Sequence, residues 1–321
     1  MAELVYAYGL GPYPERVGGS SPLIRTTNMN KITTAMQREL NGTIRLTITI
    51  PNSDVKKTWE EVLEDVVKNA EVSGFRKGKA PKNLVEEKID KEKVREEVLR
   101  KLLPVAYTEA IQTHGIKPII NPKIHMQKLV DPTTGSGQEG WQFTALTCEA
   151  PIVDLNNYKD NIKSITAKSK IIVPGKSFDK AQDFAAAQPA KFEHIVKALL
   201  DSVRAEIPGI LIDNETDRLL SQTLEDVKKL GLTLDQYLTS TGKNPEILRN
   251  EYRAKAENDI KLEFALLKIA EEEKITVEEK EISEAILAAK TEDEKKNLES
   301  NRYLLASILR QQKTLDFLKN L

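Results

Sequence analysis

Cysteine is almost missing from this chain: Cys148 is the only one among 321 residues, so no intrachain disulfide and no all-cysteine zinc site can form. That excludes a disulfide-stapled secreted scaffold and leads us to expect a reducing, cytoplasmic setting. Aromatic residues make up only 5% of the sequence while charged residues make up 30%, a balance that suits long helices with solvated faces better than an aromatic-rich β-sandwich. Neither charge sign dominates, because 48 Lys+Arg against 49 Asp+Glu leave a net charge of -1, so any basic contact surface must be local. There is also no run of roughly 18 apolar residues that could cross a bilayer, and no membrane partner is expected.

The groups that carry most catalysis are equally scarce. His114, His125 and His194 stand apart, with no HExxH-type spacing or paired cysteine beside any of them, and no Gly-x-Ser-x-Gly elbow occurs. Cys148 falls in a predicted strand and reads as a small hydrophobe. No metal, cofactor or catalytic residue is therefore expected, and the reading leans away from an enzyme.

What is present is a clear division of pattern. Residues 1–28 collect Gly11, Pro12, Pro14, Gly18, Gly19 and Pro22 and read as a disordered extension. Ile44, Leu46, Ile48 and Ile50 then alternate with polar residues as in a half-buried strand. Helical spacing follows over 54–70, about 82–89 and about 91–114, with Gly115 placed to end the last. Strand patterns at 124–127 and 141–145 predict a hairpin that pairs with the first strand, giving a small antiparallel sheet covered by helices over 29–155. The span 156–189 has poor periodicity and reads as a connector. From 190 to 321 the chain predicts an elongated all-α domain. Its start signals are Thr233 with Gln236, Asn244 before Pro245, and Thr276 with Glu279.

The most informative segment is Gly74-Phe75-Arg76-Lys77-Gly78-Lys79-Ala80-Pro81. It is not a phosphate loop of the nucleotide type, since only three residues separate Gly74 from Gly78 and Ala80 stands where a magnesium-binding hydroxyl is needed. Two hinge glycines instead flank an apolar ring and two cations, a tip able to stack and to contact phosphate oxygens. From Gly74 to Lys101 ten cations face six acids, a local excess of +4.

This octapeptide, following a strand and a helix, resembles the ribosome-docking signature of the trigger factor family of bacterial chaperones. Residues 29–155 resemble the family's ribosome-binding domain. The stretch 190–321, with Tyr237-Leu-Thr-Ser-Thr-Gly-Lys243 and Leu266-Leu-Lys-Ile-Ala-Glu-Glu-Glu-Lys-Ile275, resembles its helical chaperone domain. The resemblance implies that Phe75, Arg76 and Lys77 contact ribosomal protein and rRNA at the exit tunnel, with Gly74, Gly78, Lys79 and Pro81 shaping the tip. Its further implications are ATP-independent holding of nascent or unfolded polypeptides, a homodimer off the ribosome being left open. Family members usually carry an FKBP-like peptidyl-prolyl isomerase domain between the two regions. Here about 34 residues take its place, too few for such a domain. A competing reading makes the chain an RNA-binding protein that uses the basic loop and dimerises through its helices. A third, an isomerase with an unrecognised site, has no apolar proline pocket to support it.

Overall fold

The computed structural model describes residues 32–69, 90–130, 140–169, 181–289 and 291–321, which divide into two compact units. The first comprises residues up to Ala150 together with Pro208–Leu211. Its elements are β1 (Thr33–Arg38), β2 (Ile44–Ile50), α1 (Asn52–Asn69), α2 (Lys91–His114), β3 (Lys123–Lys128) and β4 (Trp141–Thr147). The four strands form one antiparallel sheet in the order β1-β2-β4-β3.

One face of that sheet supplies the core. Ile44, Leu46, Ile48 and Ile50 of β2 are fully buried, and Trp141 and Phe143 lie beside them on β4, with Ile48 opposite Phe143 and Ile50 opposite Trp141. Val55, Trp59 and Val62 of α1 and Val94, Val98, Leu102 and Leu103 of α2 close over this face. Three- and four-residue spacing puts each helical set on one side, so burial follows from the pattern itself. Asp90 caps the start of α2 by accepting the Glu92 N–H at 3.0 Å, and Gly115 ends it with φ 63°. The hairpin and its pairing with the strand at 44–50 thus match the sequence reading, and the unit is the small helix-covered sheet expected.

The sequence pattern does not reveal β1. This edge strand is exposed along most of its length, so its sequence Thr-Thr-Ala-Met-Gln-Arg needs no apolar alternation. It is held by the ladder to β2 and by Arg38, whose guanidinium donates to Glu149 at 2.9 Å. Glu149 also accepts the Lys117 main-chain N–H at 2.9 Å. Partial burial works against its ionisation, yet these two donors outweigh it and hold the carboxyl below its ordinary range.

The second unit holds a short two-stranded ladder of β5 (Val153–Asp154) and β6 (Arg204–Ala205) and eight helices among its described residues. These are α3 (Tyr158–Ser169), α4 (Ala181–Ser202), α5 (Gly209–Lys229, its first residues counted with the other unit), α6 (Leu234–Thr241), α7 (Pro245–Glu272), α8 (Glu279–Leu287), α9 (Glu292–Ser300) and α10 (Arg302–Lys319). Its main core gathers Tyr158 and Ile162 of α3, Ile195 and Leu199 of α4, Leu266 and Ile269 of α7, and Leu318 of α10. A satellite core joins Ile282, Ile286 and Leu305.

The span 156–189, read from its pattern as a connector, contains α3 and the first turns of α4, and α3 contributes buried residues to this unit. A helix with two apolar anchors four residues apart is too short a signal to stand out in the sequence. Glu273 reinforces the anchor, accepting from Lys159 at 2.6 Å and from the Tyr158 hydroxyl at 3.2 Å.

The caps at Thr233 and Asn244 form as their spacing predicts: the Gln236 N–H donates to Thr233 Oγ1 at 3.3 Å, and the Ile247 N–H donates to Asn244 Oδ1 at 2.7 Å. The expected start at Thr276 is corrected. The helix begins at Glu279 behind Glu278, whose N–H donates to Glu281 Oε2 at 2.8 Å. Arg310 and Lys313 explain the shift, because they grip the carbonyls of Ile275 and Thr276 at 2.9 Å each and keep both residues out of the helix.

Two outcomes test these contacts. A Cβ added at Gly140 would sit 1.7 Å from the Ile50 carbonyl oxygen. Gly140→Ala should therefore cost on the order of 3 kcal/mol, read as a lowered urea midpoint, because β2 and β4 must separate to admit it. Because the Glu149 pKa is lowered on folding, its stabilising effect is present at neutral pH and fades as pH falls through the folded value. Glu149→Gln should cost at most about 1 kcal/mol at neutral pH, discounted for solvent screening. That difference should shrink in urea titrations as pH is lowered through the depressed value of the folded carboxyl.

Candidate functional site

The residues picked out from the sequence, Gly74, Phe75, Arg76, Lys77, Gly78, Lys79 and Pro81, lie outside the described residues. What the structure does place is their frame. α1 ends at Asn69 and α2 begins at Lys91, and the two pack side by side over the sheet, with Leu63 and Val66 of α1 lying against the shared core. Segment 70–89 therefore departs from and returns to a pair of helices anchored by buried side chains.

Several cations of these stems are already neutralised. Arg95 pairs with Glu92 at 2.8 Å, Arg100 with Glu97 at 3.3 Å, and Lys101 with Asp65 at 3.5 Å, while Lys68 lies 3.9 Å from both Glu64 and Asp65. Exposed pairs of this kind add little stability. Their effect here is to cancel charge on the stems, so the local positive excess belongs mainly to Arg76, Lys77, Lys79 and Lys82 in the sequence between them.

The second unit carries apolar surface in two places. At the junction of α5 and α6, Leu230 is 75% exposed, and Leu232 and Leu234 are also open to water, as is Ile247 of α7. This junction is held by main-chain bonds, not by burial of its leucines. The Gly231 N–H donates to the Lys228 carbonyl at 3.0 Å and the Leu232 N–H to the Val227 carbonyl at 3.1 Å, with Gly231 at φ 74°, a conformation glycine adopts without Cβ strain. The Thr233 cap then starts the next helix at once. With its backbone satisfied and tightly turned, the junction keeps its leucines in water.

The other patch lies over the satellite core. Leu305 of α10 is buried against Ile282 and Ile286, which leaves Tyr303 at 91% exposure and Leu304 and Ile308 facing water, with Leu287 of α8 exposed as well. Tyr303, Leu304 and Leu305 are consecutive, so they cannot all occupy one side of a helix. That run is the sequence signal for an outward-facing patch; a single apolar stripe through the final helix overlooks it. Charge surrounds the patch: residues 271–300 contain 11 Asp+Glu and 5 Lys.

Among the described residues, the two clearest candidates for covalent chemistry, Cys148 and His114, stand apart from any partner that would activate them. Burial, with the Glu149 carboxylate nearby, pushes the Cys148 thiol up to about 12, so it stays protonated and unreactive at neutral pH. His114 Nε2 lies 3.0 Å from Thr34 Oγ1 on the edge strand β1. Among the described residues no group of three or more His, Cys, Asp or Glu could hold a metal ion, and no helix is long and apolar enough to cross a membrane. A groove of about 390 Å³ between α4 and α7, lined by Phe192, Val196, Leu200, Lys197, Asp201 and Asn258, is open and mixed in character, unlike an enclosed apolar pocket.

Residues 32–187 match the family described as bacterial trigger factor protein, and residues 179–320 match its C-terminal family. A trigger factor of Carboxydothermus hydrogenoformans is 23% identical over an alignment covering 86% of this chain and 96% of that protein. The alignment runs to 409 positions, more than this chain has residues. A trigger factor of Bacillus cytotoxicus is 33% identical over 51% of this chain but only 36% of its own length. A solved structure from a study of promiscuous substrate recognition by the trigger factor chaperone shares the fold, with a TM-score of 0.58 over 89% of this chain and 99% of that one, at 12% identity. The two family matches meet without residues to spare between them, and the chain belongs to the bacterial trigger factor family, in a form with no room there for the isomerase domain.

Proposed function

We propose that this chaperone docks at the ribosomal exit tunnel through residues 74–81 and holds emerging or unfolded polypeptides on the exposed apolar residues of its helical unit. The observation that carries the holding role is the set of outward-facing apolar residues, Leu230, Leu232 and Leu234 around the α5–α6 junction, Ile247 of α7, and Leu287, Tyr303, Leu304 and Ile308 about the satellite core. Large apolar side chains left in water on well-formed helices mark a surface that something else covers. Dense surface charge keeps such a body dispersed while the patches stay available.

Binding of this kind is weak and reversible. Covering roughly 400 Å² of apolar area yields at most about 10 kcal/mol at 25 cal/mol per Å², and association and ordering losses leave micromolar-class affinity. Release then needs no nucleotide, which accords with the missing phosphate loop. Docking beside the tunnel raises the local concentration of binding surface where chains emerge. The segment suited to that docking is Gly74–Pro81, an aromatic and three cations in the sequence between α1 and α2, whose own charges are largely paired.

Two measurements separate these roles. Replacing Phe75, Arg76 and Lys77 together by alanine should abolish co-sedimentation with ribosomes and leave suppression of aggregation in free solution unchanged. Equal sedimentation of both proteins would remove the loop from the mechanism. Conversely, serine at Leu230, Leu232, Tyr303 and Leu304 should leave ribosome binding and the thermal midpoint intact while weakening aggregation suppression several-fold, since these side chains make little of the core. An RNA-binding protein with helical dimerisation would instead bind protein-free RNA as tightly as ribosomes and suppress no aggregation at all.

A further inference from the structure

The turn between β1 and β2 holds the chain's single Asn-Gly pair, Asn41-Gly42. Both residues are exposed, and Gly42 has φ 76° with no side chain to hinder approach to its nitrogen. Asn41 Oδ1 accepts the Thr43 main-chain N–H at 3.0 Å, while the Gly42 N–H points to the Glu39 carbonyl at 3.0 Å across a turn open to solvent. The amide carbon of Asn41 is thus polarised by a fixed donor next to the main-chain nitrogen of a residue without a side chain, on a turn that Pro208 and Gly209 touch on one side.

We propose that Asn41 is a site of spontaneous deamidation in the folded protein, with water as the only co-reactant. Hydroxide removes the Gly42 N–H proton once that group leaves the Glu39 carbonyl, and the nitrogen's electron pair forms a bond to Asn41 Cγ. Negative charge passes to Oδ1, where the Thr43 N–H stabilises it as an oxyanion-type donor. The Cγ–Nδ2 bond then breaks and ammonia leaves, taking a proton from water and restoring hydroxide. Water opens the resulting five-membered imide at either carbonyl, giving aspartate or isoaspartate, so that the net reaction consumes one water and releases one ammonia.

The isoaspartate product alters the turn as well as its charge. The main chain then runs through Cβ and Cγ, and the carbonyl that accepted the Gly209 N–H at 2.9 Å becomes part of a side-chain carboxylate. The bond from the Glu39 N–H to the Thr43 carbonyl, 2.8 Å in the intact turn, is strained by the added backbone atom. Asn52 and Asn297 lie in α1 and α9, where helical backbone opposes the ring closure and the following residue carries a side chain.

Incubation of the full chain, folded and in urea, at mildly alkaline and mildly acidic pH tests the proposal, with peptide mass mapping and isoaspartyl methyl-transfer labelling as readouts. In the folded protein the peptide containing Asn41 should gain about one dalton several-fold faster than those containing Asn52 or Asn297, and faster at the higher pH. The label should fall on that peptide and disappear in Asn41→Ser. Conversion at Asn41 in urea alone, with the folded chain reacting no faster there than at Asn297, would overturn the proposal, as would undiminished labelling of Asn41→Ser.

Discussion

Burial of one face of β2 is the constraint from which the rest of the first unit follows. Ile44, Leu46, Ile48 and Ile50 are wholly removed from water, and each must be covered by apolar side chains from elsewhere in the chain. α1 and α2 do this together with β4, and in doing so they are fixed side by side. At roughly 1.5–3 kcal/mol for each fully buried large side chain, this cluster outweighs any surface ion pair on the same helices. The ends of α1 and α2 that flank residues 70–89 are therefore held by packing, and the intrahelical charge pairs on them decide only where positive charge is left over.

The helical unit meets the opposite demand. It keeps apolar side chains in water without losing its own structure. It does so by separating the two tasks along the chain: Tyr158, Ile162, Ile195, Leu199, Leu266, Ile269 and Leu318 build the core, while the leucines around Gly231 and the Tyr303-Leu304 pair contribute little to it. Capped helix ends make this workable, because a satisfied backbone at Thr233 and Asn244 holds the fold locally where side-chain burial does not. Salt links such as Arg253 with Asp213 and Arg249 with Asp217 join α5 to α7 through polar contacts, leaving apolar residues beyond them uncovered.

How much of this was legible before the structure depended on how strongly burial wrote itself into the pattern. The strand at 44–50, β4 and the helix from Lys91 to His114 each bury a row of apolar side chains, so their spacing carries the fold. β1 is exposed and short of apolar residues, and only its ladder to β2 reveals it. The Ser/Thr-x-x-Glu spacing at Thr276 has the form of a helix start, but Arg310 and Lys313, more than thirty residues away, claim the carbonyls there. Residues 74–81, proposed for docking, were legible as an unusual combination of glycine, aromatic and cation, a pattern that needs no tertiary information. The outward patches were hidden, because Tyr303, Leu304, Leu305 and Ile308 read alike as apolar helix.

The sequence by itself determined the family, the helical character of the C-terminal half, the sheet's central strands and the cluster of cations at 76–82, since each is set by local spacing and residue type. Only the tertiary structure decided which apolar residues are core and which remain in water, which cations are already paired, and that α3 joins the helical unit. Those outcomes depend on groups brought together from distant parts of the chain, and no local window contains both partners.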